Sequence, residues 1–148
     1  MTERVAEALQ HRYTKELIKQ LGNAPLYDDQ IDRIGRQLLP QFKGVYSSDN
    51  VPNKNGWYVV NTGNTKSSGI HWVGMIRTPS HDYIYDSFGR PTKQILKKYN
   101  GSGRVLNESD RDIEQNDADP KQKNICGHLA LAWLMVAHSL GLKKALLV

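Results

Sequence analysis

The chain has a single cysteine, Cys126, among its 148 residues. That excludes an intramolecular disulfide and any zinc site built from several cysteines. A reducing compartment is the simplest setting for such a chain. Long apolar runs are also missing. No window approaches the run of about 20 apolar residues needed to span a bilayer, so no membrane partner is expected. The N-terminus is polar with a helical spacing and lacks the apolar stretch of a secretory signal. Internal repeats and low-complexity tracts are absent, and a single domain over residues 1–148 is expected. Charge of one sign does not dominate. There are 20 Lys+Arg against 15 Asp+Glu, for a net charge of +5. This balance suits a polyanion such as DNA, and equally suits a solvated basic surface.

Residues 2–21 place Val5, Leu9, Tyr13, Leu17 and Leu21 at a spacing of four, which predicts a helix with Thr2 before it and Gly22 ending it. Asn23–Tyr27 contains Pro25 and reads as a turn. A second helix is predicted after Asp28, with Ile31, Ile34 and Leu38 on one side and Pro40 stopping it. The pattern then becomes β-branched and aromatic. Gly56–Asn61, Ile70–Ile76 and Tyr83–Gly89 read as strands, and Arg77–Asp82 is short enough to join the last two as a hairpin. A short helix is predicted over Pro91–Tyr99, and further strands near Val105 and Arg111–Gln115. The last helix, from about Gly127 to Leu140, is apolar nearly all round and so belongs in the core. The expected class is α+β: a small antiparallel sheet packed with helices, one of them a central apolar helix with Cys126 at its start.

That position gives the cysteine a chemical meaning. The first turn of a helix presents unpaired backbone N–H groups and partial positive charge, which stabilise a thiolate. Gly127 leaves room for a substrate carbonyl, and the Cys126 backbone N–H could bind an oxyanion. The ordinary reading of a lone cysteine beside an apolar run is a buried structural thiol. The helix-start position followed by glycine is what favours chemistry.

A nucleophilic thiol needs a base. Of the five histidines, His71 stands inside the strand pattern GIHWVGM, facing away from Ile70 and Trp72. Taken alone it would be an ordinary strand histidine. His138 lies two to three turns along the last helix, too far from its start. His128 diverges from Cys126 around the helix axis, and His11 and His81 read as surface residues. The base in turn needs an acceptor for its second nitrogen. Asp86, on the neighbouring strand, can share a face with His71 at about 5 Å. Alternatively it serves only the turn at Ser87–Gly89. A second oxyanion donor could be the side-chain amide of Gln115 or of Gln122.

His71-Trp72, Asp86-Ser87-Phe88-Gly89, Gln115 and Cys126-Gly127 occur in an order that resembles the adenain family of adenovirus-type cysteine proteases. These are relatives of the ubiquitin-like-protein proteases. The blocks KELIKQLG, FKGVYSSDNVP, VVNTGNTKSSGIHW and YIYDSFG extend the resemblance over nearly the whole chain. It implies a papain-like thiol endopeptidase with His71 as base, Asp86 orienting it, Cys126 attacking, Gln115 helping to bind the oxyanion and Trp72 packing beside the histidine. The acid is Asp86 where the family has glutamate. Capsid and core precursor proteins are the implied substrates, cut during virion maturation within the virion and the host-cell interior. The chemistry requires no cofactor. Stimulation by DNA, through the basic surface, or by a viral peptide is the family's habit, but a peptide tethered through a second cysteine is excluded here. A monomer is expected. Two other functions fit the same residues less well: removal of ubiquitin or a ubiquitin-like protein from host proteins, and a non-catalytic basic DNA-binding scaffold on a protease fold.

Overall fold

The computed structural model describes residues 3–63, 71–109 and 125–148. Five helices and five strands are described: α1 Glu3–Leu21, α2 Asp28–Leu38, β1 Phe42–Ser47, β2 Gly56–Asn61, β3 Trp72–Arg77, β4 His81–Tyr85, α3 Thr92–Ile95, β5 Val105–Glu108, α4 Cys126–Leu140 and α5 Leu142–Ala145. The class is α+β, as expected.

The strands form one sheet in chain order, β1-β2-β3-β4-β5. Its centre is antiparallel, with Val59 opposite Gly74 and Gly74 opposite Tyr85. Its two outer pairs are parallel, which corrects the expectation of an antiparallel sheet. The reason lies in the connections. Residues 48–55, and residues 86–104 with α3, each carry the chain back to the end it came from, as a parallel neighbour requires. β1 was not foreseen. Its sequence, FKGVYS, contains an exposed lysine and Gly44, where φ is 139° and the register shifts. That bulge hides the alternation by which a strand is recognised.

Side-chain alternation then divides the core between the sheet's two faces. Val59, Ile76 and Tyr85 face α1, α2 and α4, while Tyr58, Val60, Val73, Met75 and Ile84 pack with Ile95 and Leu96 on the other side. α4 is buried from Cys126 through Leu134. Gly74 is what lets it lie so close. A Cβ there would sit 2.8 Å from Trp133 Cε3, and the indole it admits stacks on Tyr85 at 5.4 Å.

α1 differs from its predicted stripe. The buried line is Ala6, Gln10, Thr14 and Leu17, and Val5 is exposed. A strict spacing of four advances about 40° per step beyond a full turn, so the five apolar residues sweep around the helix. The buried Gln10 is satisfied, donating to Tyr85 Oη at 2.9 Å and to the Leu129 carbonyl at 3.3 Å. α3 stops at Ile95, well short of Tyr99. The residues proposed as an N-cap (Thr2) and as a strand (Arg111–Gln115) lie outside the described residues.

Candidate active site

The site forms where β3 begins, β4 ends and α4 begins. Those points coincide because β3 and β4 are antiparallel, so the start of one adjoins the end of the other. α4 packs across β3, which brings its first turn to the same place.

Cys126 is the first residue of α4. The first intrahelical bond of that helix is Leu129 N–H to Ile125 O, at 2.9 Å. The N–H groups of Cys126, Gly127 and His128 therefore have no acceptor within the helix, and their partial positive charge gathers at the thiol. The sulfur also accepts a bond from outside the helix: the Trp72 main-chain N–H donates to Sγ at 3.4 Å. Trp72 is held in turn by its indole N–H, which donates to the Leu26 carbonyl at 3.1 Å. Gly127 sits close against this packing. A Cβ there would lie 3.2 Å from Trp72 Cδ1 and 3.3 Å from Ile31 Cδ1.

His71 and Asp86 lie just outside the ladder, His71 before β3 and Asp86 after β4. They meet at the strand ends and not, as a face-sharing pair within the hairpin would, across the sheet face. His71 Nε2 is bonded to Asp86 Oδ1, and the Cys126 thiol lies near enough to act electrostatically on the ring. With Nε2 committed to the carboxylate, Nδ1 is the nitrogen left for sulfur. Three side chains thus form one line: carboxylate, imidazole, thiol. All three are buried.

The electrostatics follow. Burial alone would press the imidazole toward neutrality. The hydrogen bond to Asp86, with the charges of Asp86 and Cys126, outweighs it and pushes His71 up to about 9. Burial likewise disfavours the Asp86 carboxylate, yet bonds from His71 and Arg90 hold it well below the usual carboxylate range. At neutral pH the line therefore holds an imidazolium against a carboxylate.

Two supports of Asp86 escaped the sequence reading. Ser109, just past β5, uses its hydroxyl to accept the Asp86 N–H at 2.8 Å and to donate to the Asp86 carbonyl at 3.1 Å. Arg90 returns to the carboxylate after the turn closed by Gly89 N–H to Asp86 O. Neither was legible, because each acts through a fold-back that no local pattern encodes. Phe88 packs its ring 5.5 Å from the His71 ring.

The remaining candidates separate cleanly. His128 is buried but turned away, with Nε2 on the Gly22 carbonyl at 2.8 Å. His11 and His138 are exposed, and His81 opens β4, stacked on Tyr83. Gln115 and Gln122 both lie outside the described residues. Among the described residues no group of three or more His, Cys, Asp or Glu side chains could hold a metal ion, and no helix is long and apolar enough to cross a membrane.

Residues 41–117 match the adenovirus endoprotease family, a stretch of 77 of the 148 residues. The chain belongs to that family. It is thereby placed among viral cysteine proteases. The matched segment contains His71, Asp86 and Gln115 and ends before α4, so the family match and the position of Cys126 are separate observations. Comparison with curated proteins gives no match.

Proposed function

We propose that the chain is a thiol endopeptidase in which Cys126 is the nucleophile, His71 the general acid and base, and Asp86 the group that orients and charges the imidazole. The single observation that carries this reading is the convergence of the bonded Asp86–His71 pair on the Cys126 thiol at a helix start. In the first half-reaction Sγ attacks the scissile carbonyl carbon, and the oxyanion is met by the Cys126 main-chain N–H. The His71 Nδ1 proton passes to the leaving amine as the C–N bond breaks. Water then gives a proton to His71 and attacks the thioester, releasing the acid and regenerating the thiolate. Gln115 is the second oxyanion donor we favour over Gln122, on the resemblance alone.

The substrates we propose are capsid and core precursor proteins, cut during maturation inside the assembling virion. Membership of the adenovirus endoprotease family supports this. DNA is the proposed stimulating partner, and Arg12, Lys15 and Lys19 are exposed on α1, where a polyanion could lie.

The test is digestion of an unbiased peptide library, and of a ubiquitin–fluorophore conjugate, by wild type and Cys126→Ala, with and without DNA. The reading predicts library cleavage at a defined sequence, lost in the variant. Cleavage confined to the ubiquitin conjugate would replace the proposed substrate class. Equal cleavage by both proteins would remove the mechanism.

A further inference from the structure

The turn after β4 hides a fourth participant. Asp86 Oδ1 faces His71, while Oδ2 is taken by Arg90, from its main-chain N–H at 2.9 Å and its Nε at 3.0 Å. A second guanidinium nitrogen, Nη2, reaches Oδ1 at 3.4 Å. The fork can return to a residue four positions earlier because Gly89 takes a φ of 65°, a left-handed value that suits glycine. Arg90 makes one more contact: its guanidinium lies 4.9 Å from the Phe88 ring centroid, and Phe88 packs on His71. Arg90 thus touches the acid directly and the base through an aromatic ring. The charged or titratable groups acting on this pair, among the described residues, are Arg90 from the turn, Asp86 from the end of β4, His71 from the start of β3 and Cys126 from α4.

Resting on the thiol-protease reading, we propose that Arg90 is a positioning residue of this site: it fixes the plane of the Asp86 carboxylate so that one oxygen alone meets His71, and thereby sets the aim of Nδ1 at Cys126. The argument is geometric. An aspartate has a short arm with two χ angles, and a carboxylate held at one oxygen can rotate about Cβ–Cγ. A planar fork that grips Oδ2 and reaches Oδ1 as well removes that rotation, which an ammonium cannot do. Arg90 also keeps the carboxylate charged, because a cation at hydrogen-bond distance favours the ionised acid. The side chain is about one-third exposed, so it is not needed to fill the core.

The experiment measures Cys126 alkylation by iodoacetamide across pH 4–10, read by intact mass, in wild type, Arg90→Met, Arg90→Lys and His71→Ala. Melting temperatures are taken on the same samples. Arg90→Met keeps the stem over Phe88 and loses the fork. It should label about tenfold more slowly at pH 7, with the acid limb of the profile raised by about one pH unit. Arg90→Lys should restore the acid limb, since the charge is kept, but not the full rate, since the fork is lost. An Arg90→Met profile superimposable on wild type, even with a lowered melting temperature, would overturn the proposal and leave Arg90 a merely structural residue. If wild type and His71→Ala label alike, the thiol-protease reading falls, and this inference with it.

Discussion

Asp86→Asn isolates the charge of the acid from its shape. The amide has nearly the same volume, and its oxygen can still accept the His71 Nε2 proton, so the fold should persist. What is lost is one of the two charges that hold the imidazole protonated, the other being that of Cys126. His71 is pushed from 6.5 up to about 9 against the effect of burial. At about 1.4 kcal/mol per unit, that is on the order of 3 kcal/mol in favour of the charged ring. A ring titrating near 9 is about 99% protonated at pH 7, whereas one returned to the ordinary 6.5 is only about one-quarter protonated. The alkaline limb of turnover, set by loss of the imidazolium that protonates the leaving amine, should therefore move down from near pH 9, by less than the whole shift because Cys126 also holds the ring protonated. Turnover at neutral pH should drop by about 10²–10⁴, the usual contribution of a positioned acid–base group. Stability carries a matching signature. A raised histidine contributes fully below its unfolded value of 6.5 and loses that contribution as pH rises through about 9. Asp86, held low, contributes above the ordinary carboxylate value and loses its contribution as pH falls toward its folded one. The stability gap between wild type and Asp86→Asn should thus be widest between about pH 4 and 6.5 and should narrow as pH rises through about 9, leaving the part that Arg90 supplies. Urea titrations at pH 6 and pH 10, with an NMR titration of the His71 ring, measure both effects. An unchanged His71 titration in Asp86→Asn would refute the reasoning.

Other expectations are simpler. Cys126→Ala should abolish peptide cleavage while shifting the midpoint of thermal unfolding by only a few degrees, since it removes one small atom from a packed site (circular dichroism on the variant checks this). Gly127→Ala places a methyl 3.2 Å from Trp72 and 3.3 Å from Ile31. It should cost about 1 kcal/mol in urea unfolding and slow Cys126 labelling, because the Trp72 N–H that meets Sγ must move. In Gly74→Ala the new methyl would stand 2.8 Å from Trp133, which is itself stacked on Tyr85. A loss of about 2–3 kcal/mol is expected there, and a neutral result would show that α4 can shift freely on the sheet.

Much of this architecture is legible in the sequence, for identifiable reasons. α4 is apolar on every face, and only a core helix can be. β2 and the β3–β4 hairpin carry β-branched and aromatic residues with a short link, which few other structures accept. Cys126 stands out as a candidate from its place at the start of that helix, and His71 as one from its place in the strand pattern GIHWVGM. What stayed hidden depends on chain return. The parallel pairing of β1 with β2 is decided by the path of residues 48–55, and that path has no periodicity to read. Arg90 and Ser109 reach Asp86 through a turn and a crossover, so neither residue carries a local sign of its role. Gln10 lies in the buried line of α1 only because Tyr85 and Leu129 supply its partners, and a polar residue at that spacing reads as surface.

The central claim is that Cys126 and His71 form a reactive pair. Its most direct measurement is the rate of Cys126 alkylation at pH 6, in wild type and His71→Ala, and the single cysteine makes the mass shift unambiguous. The account predicts rapid labelling of wild type at this pH, well below the free-thiol pKa of about 8.5, and slowing of at least tenfold in His71→Ala. Slow labelling of both proteins, rising only as pH approaches that of a free thiol, would contradict it.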